Sequence, residues 1–307
     1  MAETEGRGVG KTVVLLLASM ASAVLLACIS AVLMAVPAGG QVRTVTLVGA
    51  GDIARCDTRA DSATAKLLRK IPGTVFTLGD NVYPHGTMKQ FRNCYDPTWG
   101  KYKKRTKPSV GNHEYLTPDA SGYFNYFGAR AGSPGKGYYS YERGNWHIVV
   151  LNSNCKEVGG CGKRSRQGRW LRRNLTNHRA RCTLAYFHHP LFSSGKHGNI
   201  AAVRPFWWAL YGANADVVLS GHDHSYERFA PQRPDGTLDR RRGIQEFVVG
   251  TGGASHYAFS RIKPHSRARN DNTFGVLKLT LKARSYEWKF VPVAGKTFTD
   301  SGKNRCH

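Results

Sequence analysis

Acidic residues are scarce: 20 Asp and Glu stand against 45 Lys and Arg in 307 residues, a formal charge of +25 at pH 7. That imbalance excludes an acidic surface and sets up a positive field that favours anionic partners, among them phosphate esters, anionic cell-wall polymers and membrane surfaces. The basic runs at 101–107, 163–166 and 240–242 accompany no recognisable nucleic-acid fold signature, so they read as solvated loops and supply no specific nucleic-acid motif. Cys-x-x-Cys spacing is missing too, which excludes a thiolate zinc site of that kind. From residue 43 onward there is no internal repeat, no low-complexity linker and no break in composition, so 43–307 reads as a single catalytic domain. Oligomeric state is left open.

Residues 1–12 form a short polar segment. An uncharged, mostly apolar run follows at 13–36, preceded by Arg7 and Lys11 and closed by Pro37-Ala38-Gly39-Gly40. The run is long enough to span a bilayer and longer than the usual apolar core of a signal peptide, so 13–38 is expected to be a signal peptide or a membrane anchor. Either would make the rest of the chain extracytoplasmic, secreted or anchored through 13–36. Cys28 belongs to this run. The remaining cysteines, Cys56, Cys94, Cys155, Cys161, Cys182 and Cys306, are even in number and read as three disulfides. Cys155 and Cys161 flank a short Gly-rich loop and are expected to pair. Cys56 and Cys94 each follow a loop with candidate metal ligands and are expected to tie those loops together, which leaves Cys182 to hold the tail at Cys306.

Short apolar, β-branched runs with Gly-rich exits recur at 45–48, 74–78, 147–151, 183–187, 217–219, 246–249 and 276–281, and these are strands by length and composition. Helix-compatible segments lie between some of them, at 61–70 and 165–174. Asp61 is suited to cap the first, which carries an apolar stripe at Ala65 and Leu68. Alternating strands and helices predict an α/β fold. The late run through Trp288 and Phe290 predicts a hairpin, hence mixed β-sheets or two packed sheets.

Polar groups gather at five strand exits: Gly51-Asp52-Ile53-Ala54, Gly79-Asp80-Asn81-Val82-Tyr83, Gly111-Asn112-His113-Glu114, Phe187-His188-His189-Pro190 and Gly221-His222-Asp223-His224. The crevice beyond the carboxyl ends of strands is where open α/β sheets bind ligands. His222 and His224, two apart in an extended segment, would point the same way. Two Asp, one Asn, one Tyr and three His make a mixed oxygen and nitrogen donor set suited to hard divalent or trivalent ions. Two such ions about 3.5–4 Å apart need a bridging carboxylate.

These ordered motifs resemble the calcineurin-type metallophosphoesterases, and within them the purple acid phosphatase-like branch. The superfamily's first loop is usually Asp-x-His, whereas Ala54 stands at the His position here, and Tyr83, three residues after Asp80, matches the tyrosine that replaces it in purple acid phosphatases. The likeness extends to Tyr226-Glu227-Arg228 and to Gln167-x-x-Trp170-Leu171, and covers most of 45–260. It implies a four-layer α/β/β/α fold, a central sandwich of mixed sheets flanked by helices, that binds two metal ions. The first ion would take Asp52, Asp80, Tyr83 and His224, and the second Asp80, Asn112, His188 and His222, with Asp80 bridging. His188 is preferred over His189 because the family's His-x-Pro pattern puts the ligand first and strand alternation would turn His189 away. The ion at Tyr83 is expected to be Fe3+, since a phenolate is a hard anionic oxygen, and the second a divalent Fe, Zn or Mn ion. His113 and His197 are expected to be the catalytic proton donors.

Glu114, Glu227 and Arg228 read instead as structural pairs, His85 and His256 as loop residues, and His147 and His178 as strand and surface-helix residues. The resemblance implies hydrolysis of small phosphate monoesters by a metal-bound hydroxide. A phosphodiesterase acting on nucleotides or phospholipids is the alternative. From another class, a non-catalytic basic surface module binding anionic wall polymer would carry a broken ligand position, and none is broken. The extra N-terminal β-domain of the family's larger members is expected to be absent, because few residues separate the apolar run from the first strand.

Overall fold

The computed structural model describes residues 44–178 and 180–307. The apolar run at 13–36 lies outside them. Among the described residues no helix is long and apolar enough to cross a membrane, and the longest, Arg166–Asn177, has 12 residues where a span needs about 20. The expectation of a transmembrane anchor is corrected to this extent: the described residues contain no span, and the placement of the chain at a membrane is not carried further.

Two mixed sheets form the frame. In the first, strands run in the order β13 (Ser301–Arg305), β12 (Ser285–Pro292), β11 (Gly275–Leu281), β1 (Val45–Ala50), β2 (Thr74–Thr77) and β3 (Thr106–Lys107). In the second the order is β10 (Ser266–Asn270), β8 (Tyr226–Phe229), β9 (Gln245–Val249), β7 (Val217–Ser220), β6 (Cys182–Tyr186), β5 (Trp146–Val150) and β4 (Tyr139–Arg143). β1, β2 and β3 pair in parallel, as do β5, β6, β7 and β9. The predicted hairpin is β11 against β12, with Leu279 opposite Trp288.

Period-two alternation explains the layering. Ile148 and Val150, Leu184 and Tyr186, Val217 and Leu219, and Phe247 and Val249 belong to the core shared with Leu47, Phe76 and Leu277 of the other sheet. Their neighbours Val149, Ala185, Val218 and Val248 face the opposite way and pack on Leu171 and Leu175 of the Arg166–Asn177 helix and Phe206 and Leu210 of the Arg204–Gly212 helix. Both faces of the second sheet are therefore apolar, which is why its central strands read as unbroken apolar runs. On the first sheet's side, the Ala60–Lys70 helix buries Ala65 and Leu68 as expected. Asp61, however, does not cap it: the helix begins one residue earlier, and Asp61 is buried in the first turn, accepting from the Thr98 hydroxyl at 2.6 Å.

All three disulfides pair as expected. Cα separations are 5.0 Å for Cys56–Cys94, 5.1 Å for Cys155–Cys161 and 5.4 Å for Cys182–Cys306. The carboxyl ends of β1, β2, β6 and β7 open on one crevice, where their exit loops interlock through backbone hydrogen bonds: Asp52 N to Gly79 O at 3.2 Å, Gly51 N to Val249 O at 2.8 Å and Gly221 N to His188 O at 2.9 Å.

Candidate metal centre

Backbone strain marks the crevice. Asp52, Asp80 and His222 hold φ of 58°, 46° and 70°, a left-handed region that costs a non-glycine residue roughly 1–3 kcal/mol at a strained site. His222 and His224 thus reach the centre through a left-handed turn, and not through the alternation of an extended segment. Two glycines permit the close approach. A Cβ on Gly79 would lie 2.6 Å from His188 Nδ1, and one on Gly111 would lie 2.1 Å from Asp80 Oδ1.

The predicted ligands fall into two groups that share one carboxylate. In the first, Tyr83 Oη lies 2.9 Å from Asp52 Oδ1, 2.9 Å from Asp80 Oδ2 and 3.0 Å from His224 Nε2. In the second, His188 Nε2 lies 2.9 Å from Asn112 Oδ1, 3.1 Å from His222 Nδ1 and 3.4 Å from Asp80 Oδ2. Protons are too few for so many acceptors. His188 Nδ1 sits 2.7 Å from the Leu78 carbonyl, which only accepts, so in the neutral ring Nε2 is a bare lone pair facing two more acceptor oxygens. The single Tyr83 proton likewise faces two carboxylate oxygens, Asp52 Oδ1 and Asp80 Oδ2, which only accept. Converging lone pairs on two adjacent points fit a pair of cations.

Electrostatics agree. Burial pushes the His188 imidazole down, but the Asp80 carboxylate outweighs it and raises it to about 9, so in the metal-free protein a proton takes the cation's place. Asp80 is the mirror image: burial would raise it, and His188 holds it well below the carboxylate range. Burial, then the charges of Asp52 and Asp80, drive the Tyr83 phenol far above its ordinary value. Burial and then His188 and His189 keep His222 neutral, the form in which imidazole binds metal.

A family model, the calcineurin-like phosphoesterases, matches residues 46–226. The chain belongs to that family. "Purple acid phosphatase 1" of Ipomoea batatas is 31% identical over 178 residues, which cover 50% of this chain and 36% of that protein. "Probable purple acid phosphatase 20" of Arabidopsis thaliana is 28% identical over 166 residues, 46% of this chain and 38% of its own length. The chain therefore spans well under half the length of these curated relatives. Among solved structures, the purple acid phosphatase from yellow lupin (Lupinus luteus) seeds superposes with a TM-score of 0.69 at 17% identity, covering 86% of this chain and 54% of that one, a likeness of fold.

Around these donors, His113 and His197 stand at the rim. His113 Nε2 is 3.9 Å from Asp80 Oδ2 while its Nδ1 meets the Pro84 carbonyl at 2.6 Å. His197 is exposed, with its ring 4.3 Å from that of His222. His189 is a correction: it does not turn away. β6 ends at Tyr186, so strand alternation stops before the histidines, and the His189 ring lies 4.5 Å from His222 with Nδ1 2.8 Å from Ser153 Oγ. Burial and neighbouring His188 depress it to about 3.

Three positioning residues escaped the sequence reading. Asp223, read only as the spacer of Gly-His-x-His, accepts from His197 N at 2.8 Å and from the Ser193 hydroxyl, so the motif itself anchors the His197 loop. Ser255 Oγ meets His224 Nδ1 at 2.6 Å, and Tyr257 stacks on the same ring at 4.1 Å; no local pattern marks either residue. Glu114 is structural, as expected, but pairs with no cation: its carboxylate accepts from the backbone N–H groups of Asp80, Asn81, Val82 and Gly111. Arg228 does form an ion pair, with Asp300 at 2.7 Å, while Glu227 accepts from Ser194 N at 2.8 Å. His147 is buried in β5 and stacks on His178 at 4.6 Å, just past the helix end, and His256 stacks on Phe274 at 3.9 Å.

Proposed function

We propose that the protein is a binuclear-metal phosphatase that hydrolyses phosphate monoesters. The observation that carries this reading is the shared Asp80 Oδ2, which approaches both Tyr83 Oη and His188 Nε2 and so suits a bridging ligand. Asp52, Tyr83 and His224 would hold the first ion, Asn112, His188 and His222 the second. When bound, the pair supplies a nucleophile from water near neutral pH and neutralises charge on the phosphoryl oxygens. A phenol buried beside two carboxylates ionises only next to a strongly charged ion, which supports Fe3+ at Tyr83 and a divalent ion at the other position. His113 and His197 flank the donors from the solvent side, and either can give the departing alcohol a proton. An unbroken donor set supports catalysis over a silent surface module.

The test is metal analysis with two chromogenic substrates, 4-nitrophenyl phosphate and bis(4-nitrophenyl) phosphate, assayed side by side. Two ions per chain and faster hydrolysis of the monoester are expected. Full activity after complete chelation, or faster cleavage of the diester, overturns the reading.

A further inference from the structure

A cavity of about 340 Å³ adjoins the second donor group, and Asn112 and His189 line it. Its other walls are mostly apolar. Tyr115 and Leu116 come from the turn Glu114–Leu116 directly behind the Gly111-Asn112-His113 motif, Ile200 and Ala202 face it, and Cys155 brings in the disulfide to Cys161. Leu116, 57% exposed, puts a large aliphatic side chain on the cavity wall within reach of an entering group. The charged residues on the wall are one of each sign, Lys156 and Glu157.

Rigid parts hold this cavity open. The Cys155–Cys161 bridge closes a loop of only 6 residues' separation, and Asn152 Nδ2 donates to Tyr115 Oη at 2.8 Å, linking the two walls. A preformed, apolar hollow with a few polar groups and a volume near 300 Å³ suits one small organic group. By contrast, a cavity of about 730 Å³ beside Arg172, Arg181, Trp208 and His307 shares no lining residue with the metal centre.

We propose that the 340 Å³ cavity receives the alcohol part of the ester. The substrate class is then monoesters of uncharged alcohols that carry one aromatic ring or an apolar group of similar size. The inference rests on the phosphatase reading above. Contiguity with Asn112 lets one ligand place its phosphate at the donors and its alcohol against Leu116 and Ile200. Balanced charge on the wall disfavours a second phosphate there, although the chain as a whole carries +25.

Equilibrium binding of benzylphosphonate and methylphosphonate to the metal-replete protein tests this without turnover. The wild type should prefer the benzyl compound by about tenfold or more, the range expected for burying an apolar group of this size. Leu116→Asn and Ile200→Ser should each cut that preference by about threefold, with methylphosphonate affinity and metal content unchanged. Equal affinity for both compounds, or a preference that survives both substitutions, overturns the cavity assignment alone. Failure of either phosphonate to bind the metal-replete protein counts against the phosphatase reading itself, and the assignment falls with it.

Discussion

Replacing Glu114 by Gln perturbs the centre without touching a donor. Glu114 Oε1 accepts from Asn81 N at 2.7 Å and Val82 N at 3.3 Å, and Oε2 from Gly111 N at 2.7 Å and Asp80 N at 3.1 Å. An amide keeps one oxygen and turns the other position into a donor, so two buried N–H groups lose their acceptor whichever way it sits. At about 1–3 kcal/mol for each unsatisfied buried group, the loss is roughly 2–6 kcal/mol. That is a large part of the roughly 5–15 kcal/mol that hold a domain together. With about 2–4 °C per kcal/mol for chains of this size, Tm should fall by roughly 5–20 °C. The freed loops are those bearing Asp80, Tyr83 and Asn112, so metal content should drop as well.

One effect opposes this. Burial, and then the charge of Asp80, push the Glu114 carboxyl up to about 8. Yet N–H groups point at both oxygens and no acceptor waits for a carboxyl proton, which favours the ionised form in the native protein. Thermal unfolding and metal analysis of Glu114→Gln decide. Unchanged Tm with full metal content would mean that Glu114 is already protonated, so that the amide merely reproduces it.

Tyr83→Phe should bleach the visible phenolate-to-iron absorption and lower iron content while circular dichroism stays native, because the ring itself is only 5% exposed and still packs against His113; a colourless, iron-free and fully active wild type would refute the ferric assignment. His113→Ala and His197→Ala should each lower kcat by about 10²–10⁴ at constant metal content if that residue protonates the leaving group, and loss of metal from either variant would place it among the ligands instead. Burial lowers the His147 imidazole below its ordinary value, so the unfolded chain takes up the proton first, and stability present above about pH 6.5 is lost as pH falls. His147→Gln should reduce the drop in urea midpoint between pH 7.5 and 5.5, and an identical drop in both proteins would contradict the assignment.

Strand positions in the centre of each sheet were readable because burial on two faces demands apolar residues in succession, as at 217–219 and 247–249. β4, β10 and β13 were not, since edge strands such as Ser266–Asn270 and Ser301–Arg305 are polar and exist only because β8 and β12 offer them a ladder. The donor set was legible for a similar reason. Each donor follows its own strand within a few residues, so local order along the chain suffices to name it. Orientation was not local. His189 faces the centre because β6 ends before it, Asp223 matters because the His197 loop folds back onto it, and three of the four N–H groups that Glu114 holds lie more than 30 residues away in sequence. The amino-acid sequence by itself determined which residues arrive at the crevice and which cysteines pair. Only the tertiary structure decided how the loops lock around the donors and which cavity lies beside them, because hydrogen bonds and packing between distant segments leave no periodic trace in the chain.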